Sequence, residues 1–166
     1  MRKIICIAAA LVMFLSSGAY ALYTTLFEIR GKIFDESRAI KLLLPNARKD
    51  IVFMNSLWDS CIITIDQLDA YFSMLGIFNT IKKDAVTESA VDYIYGWLNM
   101  MKSNNDRNIK NLGAIGALAA EANTKLHVKK MADYYTDLNG TIAAELIKVS
   151  ALKATSKKDS PPAKGR

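Results

Sequence analysis

Between Ile51 and Leu75, apolar side chains return every seven residues in two registers. Ile51, Trp58, Ile65 and Phe72 form one; Met54, Cys61, Leu68 and Leu75 form the other, three residues later. A strand alternates with period two and cannot keep such a stripe on one side. The repeat predicts a helix of about 25 residues or more, about 37 Å long at 1.5 Å per residue. Its buried stripe must be hidden against other helices. Cys61 lies on the stripe, so the thiol is expected to act as a small buried hydrophobe, not as a reactive group or an intermolecular disulfide.

The flanking sequence carries the same period. Leu26, Ile29, Ile33, Ile40 and Leu44 share one face, Glu28 and Lys32 form an i,i+4 pair, and Pro45 marks an end, which predicts a helix near 24–44. Downstream, Ala90, Ile94, Trp97 and Met101 predict a third helix near 85–103, with Asp84 or Thr87 available as its N-cap. The Ser103-Asn104-Asn105-Asp106 cluster reads as a turn, after which helical patterning continues to about Leu152. Asn139-Gly140 offers a break in that last segment, and its apolar face changes direction near His127. The run of small residues from Gly113 to Ala122 lets a second helix axis come close, and the tightest crossing is expected there. The expected fold is all-α, an up-and-down antiparallel bundle of four helices whose last member is long and open to a break near Gly140.

The first residues read as a secretory signal. Arg2 and Lys3 precede an uncharged run from Ile4 to Leu15, and Ala19-Tyr20-Ala21 forms a small-x-small processing site. The run is too short to span a hydrocarbon core comfortably, so cleavage after Ala21 is expected over retention as an anchor. The chain then divides into a cleaved leader at 1–21, a helical bundle at 22–152 and a disordered basic tail at 153–166, and the mature protein is expected to be periplasmic or secreted. Of the formal charge of +6, the bundle contributes nothing, because its 15 basic residues match its 15 acidic ones. The leader and tail hold the excess, so the charge is no argument for nucleic-acid binding.

Chemistry-bearing motifs are sparse. With the leader removed, Cys61 is the sole cysteine and His127 the sole histidine. No Cys-x-x-Cys-His run exists for covalent haem, and no Glu-x-x-His pair for a di-iron site, so no metal or cofactor is expected. His127 is expected to be a partly exposed polar residue. Glu88 with Asp92, Asp133 with Asp137, and Asp66 with Asp69 are carboxylate pairs at helical spacing that fall away from the apolar stripes and read as solvated surface. The chain is therefore expected to be noncatalytic.

The second helix carries apolar residues well outside its stripe, namely Val52, Phe53, Ile62, Ile63, Tyr71, Ile77 and Phe78. Such a helix either touches neighbours on two sides or leaves a face for a partner. This favours action through protein contact, as an accessory or adaptor subunit of an envelope assembly or as a homo-oligomer. The alternative is a sensor or carrier that encloses a small apolar ligand among Trp58, Trp97 and the methionines, with Phe72, Tyr93 and Tyr135 completing an aromatic cluster.

Overall fold

The computed structural model describes residues 19–80 and 88–158. They form four α-helices that pack on one another: α1 (Ala19–Leu43), α2 (Ile51–Thr80), α3 (Glu88–Leu118) and α4 (Ala122–Lys158). The expected all-α four-helix bundle is what the chain builds, with no strand among the described residues. None of these helices is long and apolar enough to cross a membrane.

Directions follow from cross-helix pairs. Arg30 meets Asp69, and Lys41 lies over the Trp58 ring, so α1 and α2 are antiparallel. Asp106 meets Asn139, and Gly116 approaches Val128, so α3 and α4 are antiparallel. Cys61 meets Met131 and Thr64 meets Tyr135, which makes α2 and α4 parallel across the diagonal. α3 packs most extensively on α4, α1 packs on both α2 and α4, and the α2–α3 seam is narrow.

The seven-residue pattern is used as its spacing requires. Met54, Cys61, Leu68 and Leu75 are all buried, whereas in the first register Ile65 is buried, Trp58 and Phe72 are half-buried and Ile51 is exposed, so the second register lines the core and the first reaches it only at Ile65. α1 ends at Leu43, and Pro45 sits in a 3₁₀ turn, Leu44–Asn46, that carries the chain towards α2. At its other end α1 begins at Ala19, earlier than position 24 and inside the small-residue processing motif.

One expected boundary is wrong, and one left open is decided. Ser103 to Asp106 is not a turn: α3 runs through it to Leu118. Asn105 lies on the buried stripe, Lys102 pairs with Asp106 at 2.8 Å one turn later, and Asp106 is held to Asn139 of α4. The chain reverses instead at 119–121, and α4 is continuous through Asn139-Gly140, with no residue at positive φ. The change of apolar direction near His127 is thus the passage from α3 to α4. Tertiary contacts overrode local turn propensity in the first case and supplied the caps in the second. α4 also continues past Leu152 to Lys158. Asp84 and Thr87, and residues 159–166 of the tail, lie outside the described residues.

The close approach expected in the small-residue run is real but local. A Cβ on Gly116 would meet Val128 Cγ1 at 3.2 Å, whereas Gly113 has nothing within 4 Å.

Candidate functional site

Each helix interrupts its apolar stripe with polar residues, and these define the interior features that need a physical account. On α1, Glu36 stands between Ile33 and Ile40; α2 carries Thr64, α3 carries Asn105, and α4 carries His127 and Glu145. All five are at least nine-tenths buried.

Glu36 and His127 meet across the α1–α4 seam. Glu36 Oε1 and His127 Nδ1 share a short hydrogen bond, and Lys130 Nζ reaches Glu36 Oε2 at 3.4 Å from the solvent side. His127 is 5% exposed, which corrects the expectation of a partly exposed residue. It is buried on the face of α4 that packs on α1, where the Glu36 carboxyl group partners its Nδ1.

One turn further along α4, Met131 Sδ lies 3.5 Å from Cys61 Sγ, with the thiol as the donor. Cys61 is free and buried, as its stripe position predicts. Burial pushes its thiol up to about 12, and the nearby Glu36 charge adds to that shift. This is the wrong direction for a nucleophile or thiolate ligand. Among the described residues no three His, Cys, Asp or Glu side chains converge where they could hold a metal ion. Beside this pair the Tyr135 hydroxyl donates to the Ser60 carbonyl and accepts from Thr64, both at 3.0 Å, tying α4 to α2. Burial, above all, raises the Tyr135 phenol pKa.

The end of the bundle holding the starts of α2 and α4 is closed by two acids. Asp50 immediately precedes α2, yet its carboxylate accepts the N–H groups of Ala120 at 3.1 Å and Glu121 at 2.8 Å, at the start of α4. In return, Glu121 Oε1 accepts the Lys49 N–H at 3.0 Å. The Glu121 N–H, then that of Ala120, hold the Asp50 carboxyl below the usual carboxylate range, against the opposing effect of desolvation. A cavity of about 30 Å³ lies beneath, lined by Leu43, Ala47, Met54 and Thr124 among others.

The surface holds the remaining feature. Tyr23, Phe27 and Phe34 emerge from α1, at 41%, 54% and 42% exposure, along the seam with α2. Tyr23 and Phe72 have ring centroids 4.9 Å apart, and Phe27 lies 6.1 Å from each. Arg30 bridges the stretch, with its guanidinium 5.7 Å from the Phe34 ring and two 2.7 Å hydrogen bonds to Asp69. Three exposed aromatics and an arginine thus form one continuous strip.

The strip was not where the sequence reading placed the apolar surplus. Of the extra apolar residues on α2, Tyr71 is buried and Phe53 and Ile62 are half-buried; Val52 and Ile63 emerge singly among polar neighbours such as Asp59 and Asp66. Ile77 and Phe78 lie outside the residues whose side chains are described. α2 spends its width mainly against α1.

The expected aromatic cluster does not assemble either. Trp58 stands in the second turn of α2 under Lys41, near the capped end, and Trp97 packs on Tyr93 in the third turn of α3, which starts at the opposite end. Phe72 belongs to the strip and Tyr135 to the hydroxyl network. Asp66, Asp92, Asp133 and Asp137 are solvent-exposed, and Asp69 is half-exposed in its pair with Arg30.

Compared with known proteins, the chain matches no family model, no curated protein and no solved structure.

Proposed function

We propose that this chain is an exported, noncatalytic helical bundle that works through protein contact, as an accessory or adaptor subunit of an envelope assembly or as a homo-oligomer. The strip of Tyr23, Phe27, Arg30 and Phe34 along the α1–α2 seam carries the reading. Aromatic residues and arginine are the types that supply most binding energy at protein interfaces, and singly exposed hydrophobes need no such account. The strip is already ordered by ring packing and the Arg30–Asp69 pair, so a partner would meet it with little further loss of side-chain freedom. The leader sequence supports export, and the raised Cys61 thiol pKa supports the absence of nucleophilic chemistry at that residue.

Crosslinking and mass spectrometry in the host compartment tests this. Crosslinks from Arg30-flanking residues such as Glu28 and Lys32 to a second copy or a distinct subunit are expected, and Phe27→Ser should remove them while circular dichroism stays helical. A chain that sediments as a monomer at micromolar concentration and yields no intermolecular crosslink would sink the proposal.

A further inference from the structure

The Arg30–Asp69 pair marks the seam between α1 and α2, and the helical turn then places the other charges of both helices. Measured around α1 from Arg30, Lys41, Phe34, Phe27 and Arg38 open outwards from the seam by about 20°, 40°, 60° and 80°. Glu28 and Asp35, the exposed acids of α1, stand at least about 140° from Arg30 and so away from α2. Around α2, Asp66 and Asp59 open outwards from Asp69 by about 60° and 80°, and the helix holds no basic residue. Arg38, Lys41, Asp59 and Asp66 are all solvent-exposed. The outer face of this helix pair is therefore two ridges side by side, aromatic and cationic on α1, acidic on α2.

The register of the ridges is fixed as well. Lys41 lies over Trp58 while Arg30 meets Asp69, so the two antiparallel helices keep step between these pairs. Lys41 is then level with Trp58, one residue or about 1.5 Å from the level of Asp59; Arg38 is level with Cys61 and Phe34 with Ile65. A face about 37 Å long and two helix diameters, about 20 Å, wide offers about 700 Å², close to the 800 Å² or so per partner of a stable protein interface.

A second copy can cover this face about a two-fold axis across the seam or along it. The first sets α1 on α1 and α2 on α2, and lays acid against acid along the whole of α2. The second sets each α1 on the other copy's α2 at the same level, so that cations meet acids twice by symmetry. Like charges face to face are costly, so the charge pattern selects the second arrangement.

We infer that the partner of the aromatic strip is a second copy of this chain, seated about a two-fold axis parallel to the α1–α2 seam, with Arg38 and Lys41 of each copy against Asp59 of the other. The inference rests on the protein-contact reading above and names its partner. Phe34 comes down near Ile62 and Asp66 of the second copy, and the aromatic strip is covered in both.

The test is a charge swap on the full chain, purified from a host that exports it. Arg38→Asp and Asp59→Arg each set like charges at both symmetric contacts, whereas a mixture of the two variants restores opposite charges at both. Sedimentation equilibrium of wild type at micromolar concentration should give a dimer. Each variant alone should dimerise at least about tenfold more weakly, and the equimolar mixture should recover the wild-type dimer. A monomeric wild type, unchanged dimerisation of the single variants, or a mixture no tighter than its components each overturns the inference. The wider protein-contact reading falls only if crosslinking in the host also finds no distinct subunit on this face. Should circular dichroism show that either variant is unfolded, Arg38→Gln, Asp59→Asn and the salt dependence of the wild-type dimer decide. Weaker association is then expected in all three, and unchanged association overturns the inference.

Discussion

The Asp50 carboxylate accepts the backbone N–H of Glu121 at 2.8 Å, across 71 residues of chain, while the Glu121 carboxylate accepts the N–H of Lys49. Each acid precedes one helix and caps the approach to the other, so the α1–α2 and α3–α4 corners hold each other. The unpaired N–H groups and positive dipole of α4 draw the charge of Asp50. Asp50→Asn keeps the shape and removes the charge, and it is expected to lower Tm by about 4 °C or more.

The same contact fixes a pH dependence. The Asp50 pKa is depressed in the folded state, chiefly by the Glu121 N–H. Its contribution is therefore fully present above the unfolded carboxylate pKa of about 3.9 and lost as pH falls through the lower folded value. Urea unfolding of wild type from pH 6 to pH 2 should show stability declining in acid. The decline should be shallower for Asp50→Asn, and parallel curves would contradict the role given to this carboxylate.

Glu36 and His127 join α1 to α4 in the interior, with Lys130 half in solvent beside them. Removing His127 leaves buried Glu36 with only the 3.4 Å Lys130 contact, and removing Glu36 leaves the buried imidazole without its carboxyl partner, whereas replacing both by apolar groups removes the problem. His127→Leu is expected to cost about 3–5 kcal/mol, and Glu36→Met added to it should recover most of that loss. Equilibrium urea denaturation of the two single variants and the double variant measures the non-additivity. Additive losses would mean that the two side chains do not depend on each other.

Much of this architecture can be read along the chain, and the misreadings have physical causes. The stripes on α1, α2 and α4 are periodic, and Glu36 and Glu145 stand on them at i+3 or i+4 from apolar neighbours, which is the sequence sign of two buried acids. The turn at 119–121 carries no Gly or Pro punctuation, because its N–H groups are satisfied by Asp50 from another corner. Ser103 to Asp106 has turn composition but is held helical from α4 through Asn139. The aromatic strip needs both α1 and α2 in place before Tyr23, Phe27 and Phe72 become neighbours, so no single stretch of sequence displays it.

Gly140 distinguishes a continuous α4 from a broken one. It lies within the helix without positive φ, and a Cβ added there meets nothing within 4 Å. Gly140→Ala should therefore stabilise the protein by about 0.5–1 kcal/mol through reduced unfolded-state freedom and better helix propensity. At a true left-handed helix end the same change would destabilise. Gly116 provides the contrast, since its Cβ would press on Val128 Cγ1 at 3.2 Å; Gly116→Val, with two further carbons, should be destabilising and partly relieved by Val128→Ala. Thermal denaturation of these variants gives both signs.

Cys61 offers a direct probe of the α2–α4 seam. Its thiol is buried against Met131 with its pKa pushed up to about 12 by burial, so at pH 8 it stays a thiol. A thiol reagent must wait for the helices to separate, and the labelling rate then reports opening of the core, not the chemistry of an accessible sulfur. Ellman's reagent is expected to leave the native protein unmodified over an hour and to react fully within minutes in denaturant. Lowering stability with His127→Leu should speed native labelling in proportion to the loss. Stoichiometric labelling of the native wild type would mean that the Cys61–Met131 contact is open in solution, and that the second seven-residue register of α2 does not face the core.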